Sequence, residues 1–377
     1  MATPYKIRVG IVGGGEVAQV VHIPTLQLLS HLYIVSAICD LSPKTVEHCA
    51  AKFHIPKSTT VPDEVFRDVN IDVVFILTSD EFHAPLTIAA LQAGKDVMLE
   101  KPMTLSLLSA EKIIEAEKAA KGPRVFVGYM RRYAPSFVEV FKREIASIPQ
   151  ILHARSRDIV GPNALFVSQS GTFPVKETDI APESSNGKAK LLDGLFQECF
   201  GDSAISVTKQ KYCRFLGSLG SHDLSLMREA LGGLPFSIAG VSLNHPFYSA
   251  IFHYRNKDGS PFAVTYESGI DNVARFDAHF AVYGLNKTVS IQYDTPYIKG
   301  LPIKVRVEET DVHGHAVCRE ILCSFEDAYT SEFIEVYNCF MGVMEIKTSA
   351  IDAYEDLKLF DMMYKKYEAD LGVKPDL

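Results

Sequence analysis

In the segment Lys95 to Met103, reading KDVMLEKPM, the apolar run Val97 to Leu99 stops at Glu100-Lys101-Pro102, so a cationic amine stands where a buried strand ends. Partial burial lowers the proton affinity of an amine. An amine tuned in this way can exchange a proton with a reacting hydroxyl or hold a developing alkoxide. The opposing reading is a solvated lysine in a strand-to-helix turn, the ordinary state of that residue. A second arrangement with chemical meaning is Gly13-Gly14-Gly15-Glu16-Val17-Ala18, of the form G-x-G-x-x-A. Its glycines permit a tight turn and close approach of the backbone to a pyrophosphate, and the small Ala18 lets a helix pack near a strand. The start of that helix, at Glu16 and Val17, would offer unpaired N–H groups to phosphate. The third is Asp40, which closes the apolar run Tyr33 to Cys39 some 25 positions after Gly15. A carboxylate there can accept hydrogen bonds from both hydroxyls of an adenosine ribose and would repel a 2′-phosphate, which favours NAD over NADP. It can equally cap a helix starting around Ser42-Pro43, and Lys44 close by keeps NADP possible.

The elements that must position these residues alternate in type. Lys6 to Val12 reads as an apolar strand, followed by the glycine turn and a helix beginning near Glu16. The strand Tyr33 to Cys39 leads to a helix over Lys44 to Phe53 and a polar link through Thr60. Ile71 to Leu77 is continuously apolar, as expected of a strand buried on both faces. It ends in Thr78-Ser79-Asp80-Glu81-Phe82-His83, again polar side chains at a carboxyl edge. A helix Ala84 to Ala93 stops at Gly94, which reads as its C-cap. The strand Lys95 to Lys101 follows, then a helix Ser106 to Ala120 closed by Lys121-Gly122-Pro123, and a short strand Arg124 to Val127. This alternation predicts a doubly wound parallel sheet with right-handed crossovers.

Beyond it, Val138 to Ala146 reads as a helix and Ile151 to Ser156 as the first strand of a second domain. Residues 161–211 carry no sustained periodicity. Pro182-Glu183-Ser184-Ser185-Asn186-Gly187-Lys188 reads as a solvated turn or loop, with a helix-like piece from Leu191 to Phe200. A loop of this length is either functional or disordered, and closing over a substrate is one use for it. The helix Asp223 to Leu231 ends at Gly232-Gly233. Six strand candidates follow: Ser237 to Leu243, Ala250 to Tyr254, Phe262 to Glu267, Phe276 to Tyr283, Thr288 to Tyr293 and Ile303 to Glu308. The turns Asn256-Lys257-Asp258-Gly259 and Gly284-Leu285-Asn286 suit antiparallel hairpins. Helices Ser331 to Glu345 and Ala350 to Ala369 finish the chain. They can cover one face of such a sheet, so the other is expected to pack on a second copy of the chain, giving a homo-oligomer. The expected division is 1–135 and 136–377, the latter carrying the insertion at about 161–211.

At 377 residues the chain suits about two domains. The net charge of −8, from 38 basic and 46 acidic residues without a basic block, disfavours nucleic-acid binding. No apolar run approaches ~18 residues, and the N-terminal segment MATPYKIRVG lacks an apolar core with a cleavage site, so a soluble cytoplasmic protein without membrane contact is expected. Seven scattered cysteines, none in a Cys-x-x-Cys, read as small apolar filler in a reducing compartment, with Cys318 and Cys323 inside a strand. Their spacing offers no metal site.

The motifs Gly13-x-Gly15-x-x-Ala18, His83 with Ala90-Leu91-Gln92-Ala93-Gly94-Lys95, Glu100-Lys101-Pro102 and Arg131-Arg132-Tyr133-Ala134-Pro135 occur in an order that resembles the Gfo/Idh/MocA family of NAD(P)-dependent oxidoreductases. The resemblance covers most of the chain and is strongest over residues 6–135. It implies an N-terminal Rossmann domain and a C-terminal α/β domain with an open, mainly antiparallel sheet. It also implies hydride transfer between a nicotinamide cofactor and a sugar, cyclitol or related polyhydroxylated molecule. The family's catalytic lysine falls on Lys101. Its histidine partner falls on His222 in Gly220-Ser221-His222-Asp223, a position where a structural or capping histidine is the other reading. Thr78, His83 and Glu100 join Gly13, Gly15, Glu16, Val17, Asp40 and Lys101 as expected cofactor residues. Tyr129, Arg131 and Arg132, just after the last strand of the first sheet, can bind substrate hydroxyls or a carboxylate, the alternative being solvated arginines. The chain departs from the pattern at Ser218, four residues before His222, where many such dehydrogenases carry aspartate, and at Ser225. Ser218 and Asp223, beside the histidine, are therefore expected among the substrate-binding residues, and Asp223 or the insertion can supply the missing carboxylate. The same resemblance admits a non-catalytic dinucleotide-binding regulator, or a redox-neutral lyase or glycosidase that retains its NAD.

Overall fold

The computed structural model describes residues 5–201 and 205–372, which divide into two compact units. One comprises residues 5–129, 170–201, 205–206 and 332–357, the other 130–169, 207–331 and 358–372.

The first unit is built on six parallel strands: β1 (Ile7–Val12), β2 (Tyr33–Cys39), β3 (Lys57–Thr59), β4 (Val73–Ile76), β5 (Asp96–Glu100) and β6 (Val125–Gly128). Their order is β3-β2-β1-β4-β5-β6. The chain returns to the middle of the sheet between β3 and β4, so the order reverses at β1 and β4, and ligands bind in such a crevice at the carboxyl ends. All four residues of β4 and of β6 are buried, which is why their sequences VVFI and VFVG are unbroken apolar runs. The helix Pro43–Phe53 starts where proline has no N–H to lose and is capped by Ser42, whose hydroxyl accepts from the Thr45 N–H. The helix Leu107–Ala120 is capped in the same way by Ser106.

Two short elements escape the sequence pattern. Strand β3 lies in what reads as a polar link through Thr60 and the helix Pro62–Phe66 just after it, each too short to show a period. A larger difference lies in the insertion. Pro182–Lys188, read as a turn, is the first part of a 19-residue helix, Pro182–Phe200. Three of its residues, Leu195, Phe196 and Phe200, are buried, all near its end, so an amphipathic stripe is missing over its first turns. Glu198 holds it to Ser106, Ser109 and Lys112.

In the second unit eight strands form one sheet: β7 (His153–Val160), β8 (Ser237–Asn244), β9 (Phe247–Arg255), β10 (Pro261–Ile270), β11 (Phe276–Tyr283), β12 (Lys287–Tyr293), β13 (Lys304–Thr310) and β14 (Ala316–Ile321). The order is β14-β13-β12-β11-β7-β10-β9-β8, antiparallel except where β7 runs parallel to β10. Alternation is strict in β9, where Tyr248, Ala250, Phe252 and Tyr254 are buried and Phe247, Ile251 and Arg255 exposed. Both expected hairpins close, β9 to β10 and β11 to β12. Strand β14 adds an eighth member beyond the six candidates and β7. It holds Cys318, while Cys323 lies past its end. Both thiols are exposed and so are not core filler, unlike Cys39, Cys49, Cys213 and Cys339. Among the described residues no helix is long and apolar enough to cross a membrane.

Candidate functional site

The carboxyl edge of the first sheet gathers four of the expected cofactor residues around one cavity of about 330 Å³. Gly13 and Gly15 come from the end of β1, Asp40 from the end of β2 and Thr78 from the end of β4. Gly13 has φ +105°, and a Cβ there would lie 2.7 Å from the Leu77 carbonyl carbon, so the turn tolerates only glycine. At Gly15 a Cβ would meet nothing within 4 Å, which leaves that face open to a ligand. The two readings of Asp40 also separate. Ser42 is the helix cap, and the Asp40 carboxylate instead accepts from the Gly14 N–H (2.8 Å) and the Ser42 N–H (2.9 Å) while lining the cavity. The Thr78 hydroxyl is buried and has no hydrogen-bond partner. An open glycine edge, a carboxylate and an unsatisfied buried hydroxyl in one crevice are the features a dinucleotide's pyrophosphate and ribose require, and these residues fit it.

The remaining expected cofactor residues lie elsewhere. Glu16 and Val17 are outside the cavity lining. His83 is buried with Nδ1 2.7 Å from the Pro102 carbonyl oxygen and Nε2 3.0 Å from that of Thr78. It therefore positions the ends of β4 and β5. Glu100 is buried as well, with Oε1 2.7 Å from His22 Nε2 and Oε2 accepting from the Lys101 N–H at 3.0 Å. Burial works to raise its proton affinity, but the His22 hydrogen bond and the Lys101 charge hold the carboxyl below its usual range. Glu332, fully buried with neither oxygen hydrogen-bonded, is pushed well above that range by burial and by Glu100. Lys101 itself is half-buried at the end of β5, before a cis Lys101–Pro102 peptide, and Tyr129 is buried just past β6.

Sequence reasoning missed the wall that the insertion provides. Ile180, Ser184, Ser185 and Lys188 line the same cavity. Gln19, fully buried, donates to the carbonyls of Gly14 and Val175 (2.8 Å each) and accepts from the Val175 N–H at 2.9 Å. Lys52 donates to the Thr172 and Phe173 carbonyls, and Lys188 pairs with Glu81 at 3.2 Å. Asp179 accepts from the Ser42 hydroxyl and from the Lys44 N–H. The available signal was Pro182-Glu183, a proline and an acid in a first helical turn. A second cavity, of about 710 Å³, continues past Leu41 and Phe82 along the same helix.

In the second unit His222 is half-buried near the start of the helix Ser221–Leu231, entered through a π-helical stretch Leu216–Gly220. Ser218 is exposed, its hydroxyl donating to the Phe215 carbonyl at 3.3 Å. Asp223 points into the core and is bound by Arg131, which also holds Asp158 at 2.9 Å. Burial, and then the Asp158 carboxylate, push the Asp223 carboxyl well above the usual range against the pull of Arg131. Its Oδ1 accepts from the Arg131 guanidinium within the core. Arg132 pairs with Glu229 (2.5 Å) and donates to the Ser225 hydroxyl (3.0 Å). Arg131 and Arg132 are 3% and 2% exposed, so the solvated alternative is overturned, and both guanidinium groups are engaged within the unit instead of being presented to substrate. Asp158, on the buried face of β7, is the partner the sequence did not single out.

Residues 7–129 match the family described as the oxidoreductase family with an NAD-binding Rossmann fold, GFO_IDH_MocA. The similarity to this oxidoreductase family is thus seated in the Rossmann region. The chain is 32% identical over 179 residues to an inositol 2-dehydrogenase of Paracoccus denitrificans, covering 46% of this chain and 53% of that one. It is 25% identical over 224 residues to a myo-inositol 2-dehydrogenase of Thermotoga maritima, covering 59% and 64%. The chain thus spans between half and two thirds of the length of these curated relatives. In fold it is similar to levoglucosan dehydrogenase in complex with NADH and levoglucosan, with a TM-score of 0.71 at 18% identity over 97% of this chain and 98% of that one.

Proposed function

We propose that the chain is an NAD(P)-dependent oxidoreductase acting on CH–OH groups of a sugar, cyclitol or related polyhydroxylated molecule. The observation that carries this reading is the crevice bounded by Gly13, Gly15, Asp40 and Thr78, with Lys101 at the end of the next strand of the same sheet. The substrate class rests on the similarity to inositol 2-dehydrogenases and on the fold shared with levoglucosan dehydrogenase. NAD is the preferred cofactor because Asp40 offers a carboxylate to the ribose hydroxyls.

When bound, the dinucleotide supplies hydride exchange. The turn at Gly13 and the Thr78 hydroxyl would hold its phosphates and ribose, with His83 fixing the loops on either side. Lys101 is assigned the substrate hydroxyl, taking or returning its proton and stabilising the alkoxide as the carbinol hydrogen leaves as hydride. His222 is assigned final acceptance of that proton, with Ser218 and Tyr129 as substrate contacts. Arg131, through Asp223, keeps the helix Ser221–Leu231 in place. In place of the expected division at 135/136, residues 5–129, 170–201, 205–206 and 332–357 would form the dinucleotide-binding unit and 130–169, 207–331 and 358–372 the substrate-binding and oligomerisation unit, in a cytoplasmic protein.

The test is a screen of aldoses, cyclitols and their keto forms with NAD and NADP, read as absorbance of the reduced nicotinamide. Turnover of at least one polyol with NAD is expected. Binding of NADH without hydride exchange to any of them would oppose the reading and favour a regulator.

A further inference from the structure

Asp179 belongs to the insertion, far in sequence from the strand edge that selects a dinucleotide. Its carboxylate nevertheless accepts from the Ser42 hydroxyl and from the Lys44 N–H at 3.1 Å. Those donors sit two and four residues after Asp40, at the start of the helix that follows β2. A phosphate on the 2′ position of a ribose held by Asp40 would look for donors there. Two further observations show that this carboxylate is built in. The next residue, Ile180, lines the dinucleotide cavity itself, with Ser184, Ser185 and Lys188 behind it. The segment just before is fastened by the reciprocal hydrogen bonds of Gln19 with Val175. The Ser42 hydroxyl bond, together with the Lys44 contacts, lowers the proton affinity of Asp179, so it is ionised at neutral pH. Lys44, the cation after Asp40 that keeps NADP possible in the sequence, thus faces a carboxylate already in place.

We propose that Asp179 is a cofactor-selecting residue: it occupies the hydroxyl and amide donors that a 2′-phosphate would use, and its charge repels that phosphate. NAD selectivity then depends on two carboxylates, Asp40 from the Rossmann strand edge and Asp179 from the insertion. This inference rests on the proposed dinucleotide site, and binding tests it without turnover. The full-length parent and Asp179→Asn, which keeps an acceptor oxygen for Ser42 while losing the charge, are titrated with NADH and with NADPH by nucleotide fluorescence. Asp179→Ser is a second variant, and circular dichroism melting confirms that each is folded. The parent is expected to bind NADPH at least about tenfold more weakly than NADH. Asp179→Asn should tighten NADPH on the order of tenfold and leave NADH within about threefold, the scale of a relieved like-charge contact. NADPH binding unchanged in both variants, or both nucleotides weakened equally, would overturn the role of Asp179. A parent that binds neither nucleotide would overturn the dinucleotide site itself, and with it this inference.

Discussion

At Arg131, one buried guanidinium holds two carboxyl groups, Asp158 and Asp223. Removing one partner of a buried ion pair strands the others, so Arg131→Ala should lower stability by about 3–5 kcal/mol, measured by denaturant unfolding. The loss should depend on pH. The folded Asp223 carboxyl titrates above its unfolded value of about 3.9, so its protonated form stabilises the fold at low pH, and that contribution fades as pH rises through the folded value. Without Arg131 the two carboxyls repel once ionised, so the deficit should be smaller near pH 5 than near pH 8. A deficit independent of pH would show that the carboxyls are not the reason. Legible in the sequence were residues whose placement is local, the glycine turn, Asp40 and Thr78, each at the carboxyl end of its strand and around one cavity. Arg131 was misjudged because its partner Asp158 lies 27 positions away on an alternating strand, where an inward acid looks like any polar residue.

Among the elements, the insertion is the one whose structure changes the account. Ser184 to Lys188 carry no apolar stripe because the start of their helix borders a cavity, so periodicity, which reports a buried face, was silent there. Strands buried on both sides, such as β4, and strands in regular alternation, such as β9, were readable because burial dictates their composition directly. If the insertion is a wall of the nucleotide site, loosening it should be felt there. Gln19→Ala removes the bonds joining the glycine turn to Val175 and leaves the Val175 N–H without its acceptor. NADH binding should weaken by roughly tenfold, the scale of one or two unmade buried hydrogen bonds. Limited proteolysis should then cut within 170–200 faster than in the parent, and NADH should slow it. Unchanged cleavage and unchanged binding would show that the insertion is independent of the site.

For the whole molecule, the second sheet exposes Phe247 and Ile251 on one face of β9. We expect that face to meet a second copy of the chain, since an open sheet with apolar residues outward needs cover. Light scattering should give an oligomer, and Ile251→Asp should shift it toward monomer. A monomeric parent would remove that expectation without touching the chemistry. The chemistry is tested most directly at Lys101, with the parent and Lys101→Ala compared on one polyol substrate and, separately, for NADH binding. The account predicts that turnover falls roughly 10²–10⁴-fold, the range of a lost positioned acid or base, while NADH affinity stays within about threefold. Turnover near the parent level, or NADH affinity lost in parallel with it, would contradict the assignment of Lys101 to the reacting hydroxyl.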